Sequence, residues 1–351
     1  LAKSFVRLGH RVSVISCRPL PGKSTSASWI GQEYLDQMDI HLVRKPLLVR
    51  WLNNYHDPMH RIKIPVAAAL MKLFCRGTIF DRATGLERRI TSLAKEIIRS
   101  RSVSHVFVTG APFNLLYYAA QLRDAFPGLV IVADYRDPWI TAQNYGMRSL
   151  SDSRKRCELR KQNFVLNHVD LVTCPNEFLL REIRDSYTGD SPPSARFLEL
   201  PHAFDPEDVL HTKRSTAHTE PTVRVIYGGT LYLGVEKYLQ LLHAAVLYAR
   251  ERLLTVKLKI DVFANEMDEK EKFADDLRGI DFHHSVGEKI FEEAANSDYI
   301  LILLAQHNKD FVTSKFFEFL PYGKPYLYLG PRGFVSEKIE REGLGYCIWS
   351  Q

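Results

Sequence analysis

Two acids, an arginine and a tryptophan crowd one strand exit in the run Val130-Ile-Val-Ala-Asp-Tyr-Arg-Asp-Pro-Trp139. The apolar residues predict a buried strand over 129–134 that delivers Asp134, Arg136, Asp137 and Trp139 into one loop. In open α/β sheets, ligands bind beyond the carboxyl ends of the strands. Carboxylate, guanidinium and indole together suit a hydroxyl-rich acceptor, and either acid could orient or deprotonate an acceptor hydroxyl. The same residues also suit a structural Asp–Arg pair with a Pro turn packing Trp139. A second exit, Val106-Phe-Val-Thr-Gly-Ala-Pro-Phe-Asn114, offers Pro112 in a tight loop and Asn114 as a helix cap. The N–H groups of that turn could receive a polar ligand, or the segment is a plain strand-to-helix turn.

The second half opens with Val223-Arg-Val-Ile-Tyr-Gly-Gly-Thr230. Strand, glycine pair, then helix is the layout that lets backbone N–H groups approach a phosphate. Gly228, Gly229 and Thr230 are the close-approach positions, with Lys237 on the next helix as countercharge. The pattern is not GxGxxG, which disfavours a nicotinamide cofactor. Further on, Asp310-Phe-Val-Thr-Ser-Lys-Phe-Phe-Glu318 places Ser314, Lys315 and Glu318 on one helix face. Phe316, Phe317, Phe319 and Leu320 form the core face. A carboxylate on such a helix could accept bonds from ribose hydroxyls, with Asp310 just ahead of it; a surface Lys–Glu pair is the plainer alternative. Of the thirteen histidines, His283-His284 and His202 lack a visible base or nucleophile partner, and no P-loop, HExxH or nucleophile elbow is present.

These segments need a scaffold that aims strand ends at ligands, and the rest of the chain supplies one. Strand-like runs at 12–16, 104–109, 129–134, 169–173, 196–200, 222–228, 255–263, 298–304, 324–329 and 345–349 alternate with helical patterns. The helices are expected at 86–101, 114–126, 151–167, 176–185, 235–252, 268–277, 288–296, 314–322 and 334–342. Such alternation predicts an α/β fold with parallel sheets. A polar, Pro-containing stretch at 201–221 reads as a linker between domains 1–205 and 206–351. The opening residues read as a helix end followed by a strand, so the first strand of that βαβ unit is expected upstream of the chain, and further helices beyond its end.

The 351 residues carry a net charge of +6, and segment 41–76 alone holds seven Lys/Arg against one acid, Asp57. The remainder is neutral, which argues against a whole-protein nucleic-acid binder. The basic residues interleave with Leu47, Leu48, Trp51, Leu52 and Tyr55, a mix that suits an anionic membrane surface or a solvated helical face. Five scattered cysteines without a CxxC pair predict no zinc site and a reducing compartment.

At these residues the sequence resembles the GT-B fold glycosyltransferases, nearest the family 4 type. The resemblance rests on Leu8-Gly-His-Arg-Val-Ser-Val-Ile, Ala133-Asp-Tyr-Arg-Asp-Pro-Trp, Asp170-Leu-Val-Thr-Cys-Pro-Asn, Leu200-Pro-His-Ala-Phe-Asp, Tyr227-Gly-Gly-Thr and Ser314-Lys-Phe-Phe-Glu-Phe-Leu-Pro-Tyr-Gly-Lys-Pro, in family order along almost the whole chain. It implies two Rossmann-like domains facing each other across a cleft. The C-terminal domain would hold a nucleotide-sugar donor and the N-terminal domain a glycan or lipid-linked acceptor. It further implies sugar transfer with retention, no metal, and a role in cell-surface polysaccharide synthesis, in the cytoplasm or at the inner face of the cell membrane. Glu318 matches the last glutamate of the family's E-x7-E motif, which contacts the donor ribose, and Asp310 stands in place of the first. Thr230-Leu231 replaces the arginine that often follows the glycines, leaving Lys237 and Lys315 to supply charge. A nucleotide-sugar 2-epimerase and a catalytically silent binding protein of the same fold are the alternatives.

Overall fold

The computed structural model describes all residues except 19–30, 53, 55–56, 142–146, 208–221, 232–233, 253–256, 265–278, 285–288, 307–308, 310–311 and 350–351. The expected helix over 268–277, Tyr55 and Asp310 therefore lie outside the described residues, as does most of the 201–221 stretch. The chain divides into two compact units, Leu1–Pro201 and His202–Gln351.

In chain order, the first unit runs α1 (Ala2–Arg7), β1 (Val12–Cys17), α2 (Gln32–Leu35), β2 (Met38–Val43), α3 (Leu47–Leu52), α4 (His60–Phe74), α5 (Glu87–Arg101), β3 (His105–Gly110), α6 (Asn114–Ala120) and β4 (Val130–Tyr135). It continues with α7 (Asp152–His168), β5 (Leu171–Cys174), α8 (Glu177–Asp185) and β6 (Arg196–Glu199). Strands β3-β4-β5-β6 form one parallel sheet, and β1 and β2 pair in parallel as a separate ladder. Buried Ile131, Ala133, Tyr135 and Val172 of the sheet pack with Leu116, Val165 and Leu166 of α6 and α7. Asn176 caps α8, its Oδ1 accepting from the Leu179 N–H at 2.8 Å, a cap of the ordinary Asn type.

The second unit runs β7 (Thr222–Gly228), α9 (Glu236–Arg252), β8 (Lys257–Ala264), β9 (Ile280–His284), α10 (Lys289–Ala295), β10 (Tyr299–Leu303), α11 (Ser314–Phe319), β11 (Tyr326–Gly330), α12 (Phe334–Arg341) and β12 (Gly345–Trp349). Among the described residues its six strands are all parallel, in the order β9-β8-β7-β10-β11-β12. Counted from β7 this is 3-2-1-4-5-6, the doubly wound nucleotide-binding order. Two apolar clusters, one around Leu239, Val246 and Val262 and one around Phe316, Tyr326 and Val335, flank the sheet. That is why β10 and β11 read as unbroken apolar runs.

The structure adds elements that periodicity did not expose. Strand β9, Ile-Asp-Phe-His-His, is a short edge strand too polar to read as one. Strand β2 exposes Ile40 and Leu42 while burying Met38 and Val43. Helices α3 and α4 occupy the basic segment and close on each other through Val49, Leu52, Ala67 and Met71. This corrects the reading of that segment: Leu52 is core, and Leu48 and Trp51 pack against the same cluster.

Candidate functional site

In the second unit the connections from β7 and β10 leave in opposite directions, so a crevice opens at the carboxyl ends of these two strands. Gly228 ends β7 at that switch point. A methyl group there would come within 2.7 Å of Ile290 Cγ1 and 3.3 Å of Phe319 Cζ. The glycine is thus required by the close packing of α10 and α11 on the strand end. The loop is held by the Gly229 N–H, which donates to the Phe263 carbonyl at 3.0 Å, and by the Tyr227 hydroxyl, which donates to the Thr230 carbonyl at 2.7 Å. Gly229 and Thr230 are half-buried, and Lys237 is exposed with its ammonium 5.0 Å from the centre of the Tyr238 ring.

Helix α11 carries the other half of this crevice. Thr313 precedes it in extended conformation, and Pro321 with Gly323, at φ +62°, ends the turn that follows. Ser314 is half-buried at its first turn. Lys315 Nζ donates to Glu318 Oε2 at 2.5 Å. The same ammonium lies 5.8 and 5.9 Å from the ring centres of Phe291 and Phe319. Because Phe319 also reaches Gly228, the Lys315–Glu318 pair and the glycine loop belong to one contiguous patch. His202 packs edge-on to Phe317 of this helix, ring centres 6.1 Å apart.

In the first unit, Asp134 stands mid-sheet in register with Thr109 of β3 and Thr173 of β5. The Thr173 hydroxyl donates to Asp134 Oδ1 at 2.8 Å. Burial raises the Asp134 carboxyl above its ordinary value, against the pull of Thr173, the Arg136 charge and Thr109. Arg136 is exposed and Asp137 half-buried in the loop beyond β4, and the Arg136 N–H donates to the Gly110 carbonyl at 3.1 Å. Pro112 is half-buried at the neighbouring strand exit.

Trp139 and Asn114 do not face a ligand, which corrects their assignment to the acceptor. Trp139 is 1% exposed, stacks on Phe113 at 5.4 Å, and donates its indole N–H to Glu158 Oε2 at 2.9 Å. Asn114 is buried and does not cap α6: its Nδ2 donates to Thr84 Oγ1 at 3.0 Å and its Oδ1 accepts from Lys161 Nζ at 2.8 Å. Both side chains serve a buried polar hub. Glu158 accepts from the Thr78 N–H and from Lys161 Nζ, each at 2.9 Å, as well as from Trp139. Asp81 accepts from the N–H groups of Ala83 at 2.8 Å and Asn114 at 3.1 Å. Burial raises the Asp81 carboxyl; the two N–H bonds oppose this and the Glu158 charge adds to it. The hub fastens loop 77–84 to α7, and only the i, i+3 spacing of Glu158 and Lys161 hinted at it in the sequence. Among the described residues, no group of three His, Cys, Asp or Glu side chains is placed to hold a metal ion.

Solved structures share this architecture. An α,α-trehalose 6-phosphate synthase from Burkholderia multivorans aligns over 96% of this chain and 87% of its own at 12% identity, with a TM-score of 0.61. A sucrose-phosphate synthase from Thermosynechococcus elongatus covers 100% of this chain and 78% of its own at 11% identity, also with a TM-score of 0.61. The fold is GT-B. A UDP-forming α,α-trehalose-phosphate synthase from Burkholderia vietnamiensis shares the GT-B architecture at 11% identity, over 97% of this chain and 87% of its own, with a TM-score of 0.59. No protein-family model matches the chain, and no curated protein matches its sequence.

Proposed function

We propose that the protein is a glycosyltransferase that takes a sugar from a nucleotide-sugar donor and passes it to a glycan or lipid-linked hydroxyl, with retention at the anomeric carbon, in cell-surface polysaccharide synthesis. The observation that carries the reading is the glycine loop and the Lys315–Glu318 pair meeting at the switch point of a 3-2-1-4-5-6 sheet. In that reading Glu318 accepts from the donor ribose hydroxyls. The Thr230 backbone N–H, Ser314, Lys237 and Lys315 face the diphosphate, whose negative charge grows as it leaves, while Gly228 and Gly229 shape the loop. The new bond joins the acceptor oxygen to the anomeric carbon as the bond from that carbon to the diphosphate oxygen breaks. The acceptor proton passes to a carboxylate, for which Asp134, at the carboxyl end of β4 with burial raising its carboxyl above the ordinary value, is the first choice. Arg136 and Asp137 then orient the acceptor. No metal is assigned to the reaction.

The decisive experiment titrates wild type and Glu318→Gln with a panel of sugar nucleotides by calorimetry. Charge-assisted hydrogen bonds contribute about 1.5–3 kcal/mol, so the variant is expected to bind its donor roughly 10- to 100-fold more weakly. Equal affinity in two folded proteins would overturn the donor site. Release of a free sugar epimerised at C2, without any acceptor, would instead assign a 2-epimerase.

A further inference from the structure

Helix α4 has two apolar sides. One, with Ala67 and Met71, closes on Val49 and Leu52 of α3 and on Ile79. The opposite side carries Ile62, Val66, Leu70 and Leu73, exposed by 62, 44, 37 and 78%. Met59 and Phe74 prolong the row at either end, exposed by 52 and 78%. At about 1.5 Å per residue, positions 59 to 74 make an apolar strip roughly 22 Å long. An exposed apolar strip of this size on a helix whose other apolar side is already packed is a binding surface.

Charge identifies the occupant. Exposed Arg61 and Lys72 border the strip, and Arg50 and Arg76 are exposed on the same segment. The segment's one acid, Asp57, is engaged by Lys63 at 2.7 Å. The surface is therefore apolar at its centre and cationic at its margin, which complements acyl chains under anionic headgroups. Among the described residues no helix is long and apolar enough to cross a membrane, so the geometry is that of a helix lying in the interface.

The strip is also rigidly presented. Arg154 of α7 donates to the carbonyls of Lys72, Cys75 and Gly77 at 2.6, 3.0 and 2.7 Å. It thereby satisfies backbone groups left over at the end of α4. Glu158, one turn further along α7, holds the Thr78 N–H. A surface already ordered in the free protein loses little conformational entropy on docking.

We propose that α4 docks the protein onto an anionic lipid membrane, with Ile62, Val66, Leu70 and Leu73 entering the acyl boundary and Arg61 and Lys72 at the headgroup phosphates. The proposal stands independently of the reaction assigned above, and its test contains no sugar nucleotide. The full chain is co-sedimented with phosphatidylcholine vesicles and with mixed phosphatidylcholine–phosphatidylglycerol vesicles at low salt. Wild type is expected to bind the anionic vesicles and to be weakened by added salt. Arg61→Gln/Lys72→Gln should lower that partition by roughly 25-fold, at about 1 kcal/mol per charge. Ile62→Ser/Leu70→Ser/Leu73→Ser should lower it at least about tenfold, with thermal melting unchanged because every altered side chain is exposed. If wild type stays unbound at low salt, or if either folded variant binds like wild type, the proposal is wrong. It is equally wrong if the serine variant abolishes a dimer of the free protein while vesicle binding persists, since the strip would then be an interface between copies.

Discussion

Replacing Glu158 by glutamine tests whether the first unit depends on its buried polar hub. The side chain is fully buried and accepts three hydrogen bonds, from the Thr78 N–H, the Trp139 indole and the Lys161 ammonium, all at 2.9 Å. Glutamine keeps the shape but offers one acceptor oxygen and an NH2 group that must face another donor. At least one of the three donors loses its partner, and Lys161, little exposed, loses its countercharge. Losing a hydrogen bond to a charged group costs about 1.5–3 kcal/mol, and breaking a buried pair about 3–5 kcal/mol. These overlap rather than add, so about 3–5 kcal/mol is expected, a large part of the roughly 5–15 kcal/mol that holds a domain together. Urea unfolding gives the energy, and hydrogen exchange over loop 77–84 gives the location, because the Thr78 amide should lose protection first. Adding Lys161→Met to the variant should cost less than the sum of the two single changes. A loss under about 1 kcal/mol with unchanged exchange at Thr78 would refute the reasoning, because the hub would then be decoration on an apolar core.

In the second unit, Asp261 is buried in β8 and accepts from Arg224 at 2.7 Å and from His283 at 2.7 Å. Burial alone would raise its carboxyl, but these bonds and the Arg224 charge hold it below the ordinary value. Its contribution to stability is therefore complete above about pH 4 and fades as pH falls through the lowered native value; urea titrations of Asp261→Asn should show a flatter loss on the acid side than wild type. Gly228→Ala should lower stability by about 1–3 kcal/mol through overpacking against Ile290, seen as a reduced melting temperature that Ile290→Val partly restores. For the acceptor side, Asp134→Asn is expected to reduce transfer by about 10²- to 10⁴-fold with donor affinity unchanged; full transfer rates in both Asp134→Asn and Asp137→Asn would remove that assignment.

The α/β alternation and most strands are legible because parallel strands buried on both faces must be apolar throughout. Tyr299-Ile-Leu-Ile-Leu303 and Val130-Ile-Val-Ala133 could hardly be anything else. Edge strands lack that constraint, so β9, with Asp281 and two histidines, carries no comparable signal. The local patterns behind the proposed donor site are legible for a related reason. A glycine pair after a buried strand and an i, i+3 Lys–Glu pair are local patterns, and topology alone brings them together at the switch point. Sequence could not separate a close approach to phosphate from the close approach of Ile290 that the structure places at Gly228.

The residues misread on the first unit failed for one physical reason: a polar side chain beside a strand exit looks the same in sequence whether its partner is a ligand or another side chain. Trp139 and Asn114 lie beside the expected loops, yet their partners, Glu158 and Lys161, come from a helix about twenty and nearly fifty residues away along the chain. The basic segment misled in the complementary way. Its aromatic and leucine residues at 47–55 suggested the wetted face, but α3 needed most of them for its own core, and what remained uncovered was the branched aliphatic row of α4. Amphipathic patterning identifies one apolar stripe per helix; a helix with two gives no contrast to read. Which stripe meets protein is settled only by tertiary packing, here by the Arg154 fork and the Glu158–Thr78 bond that fix the end of α4 against α7. The hub and the strip are consequently one system: loosening Glu158 should also loosen the presentation of α4.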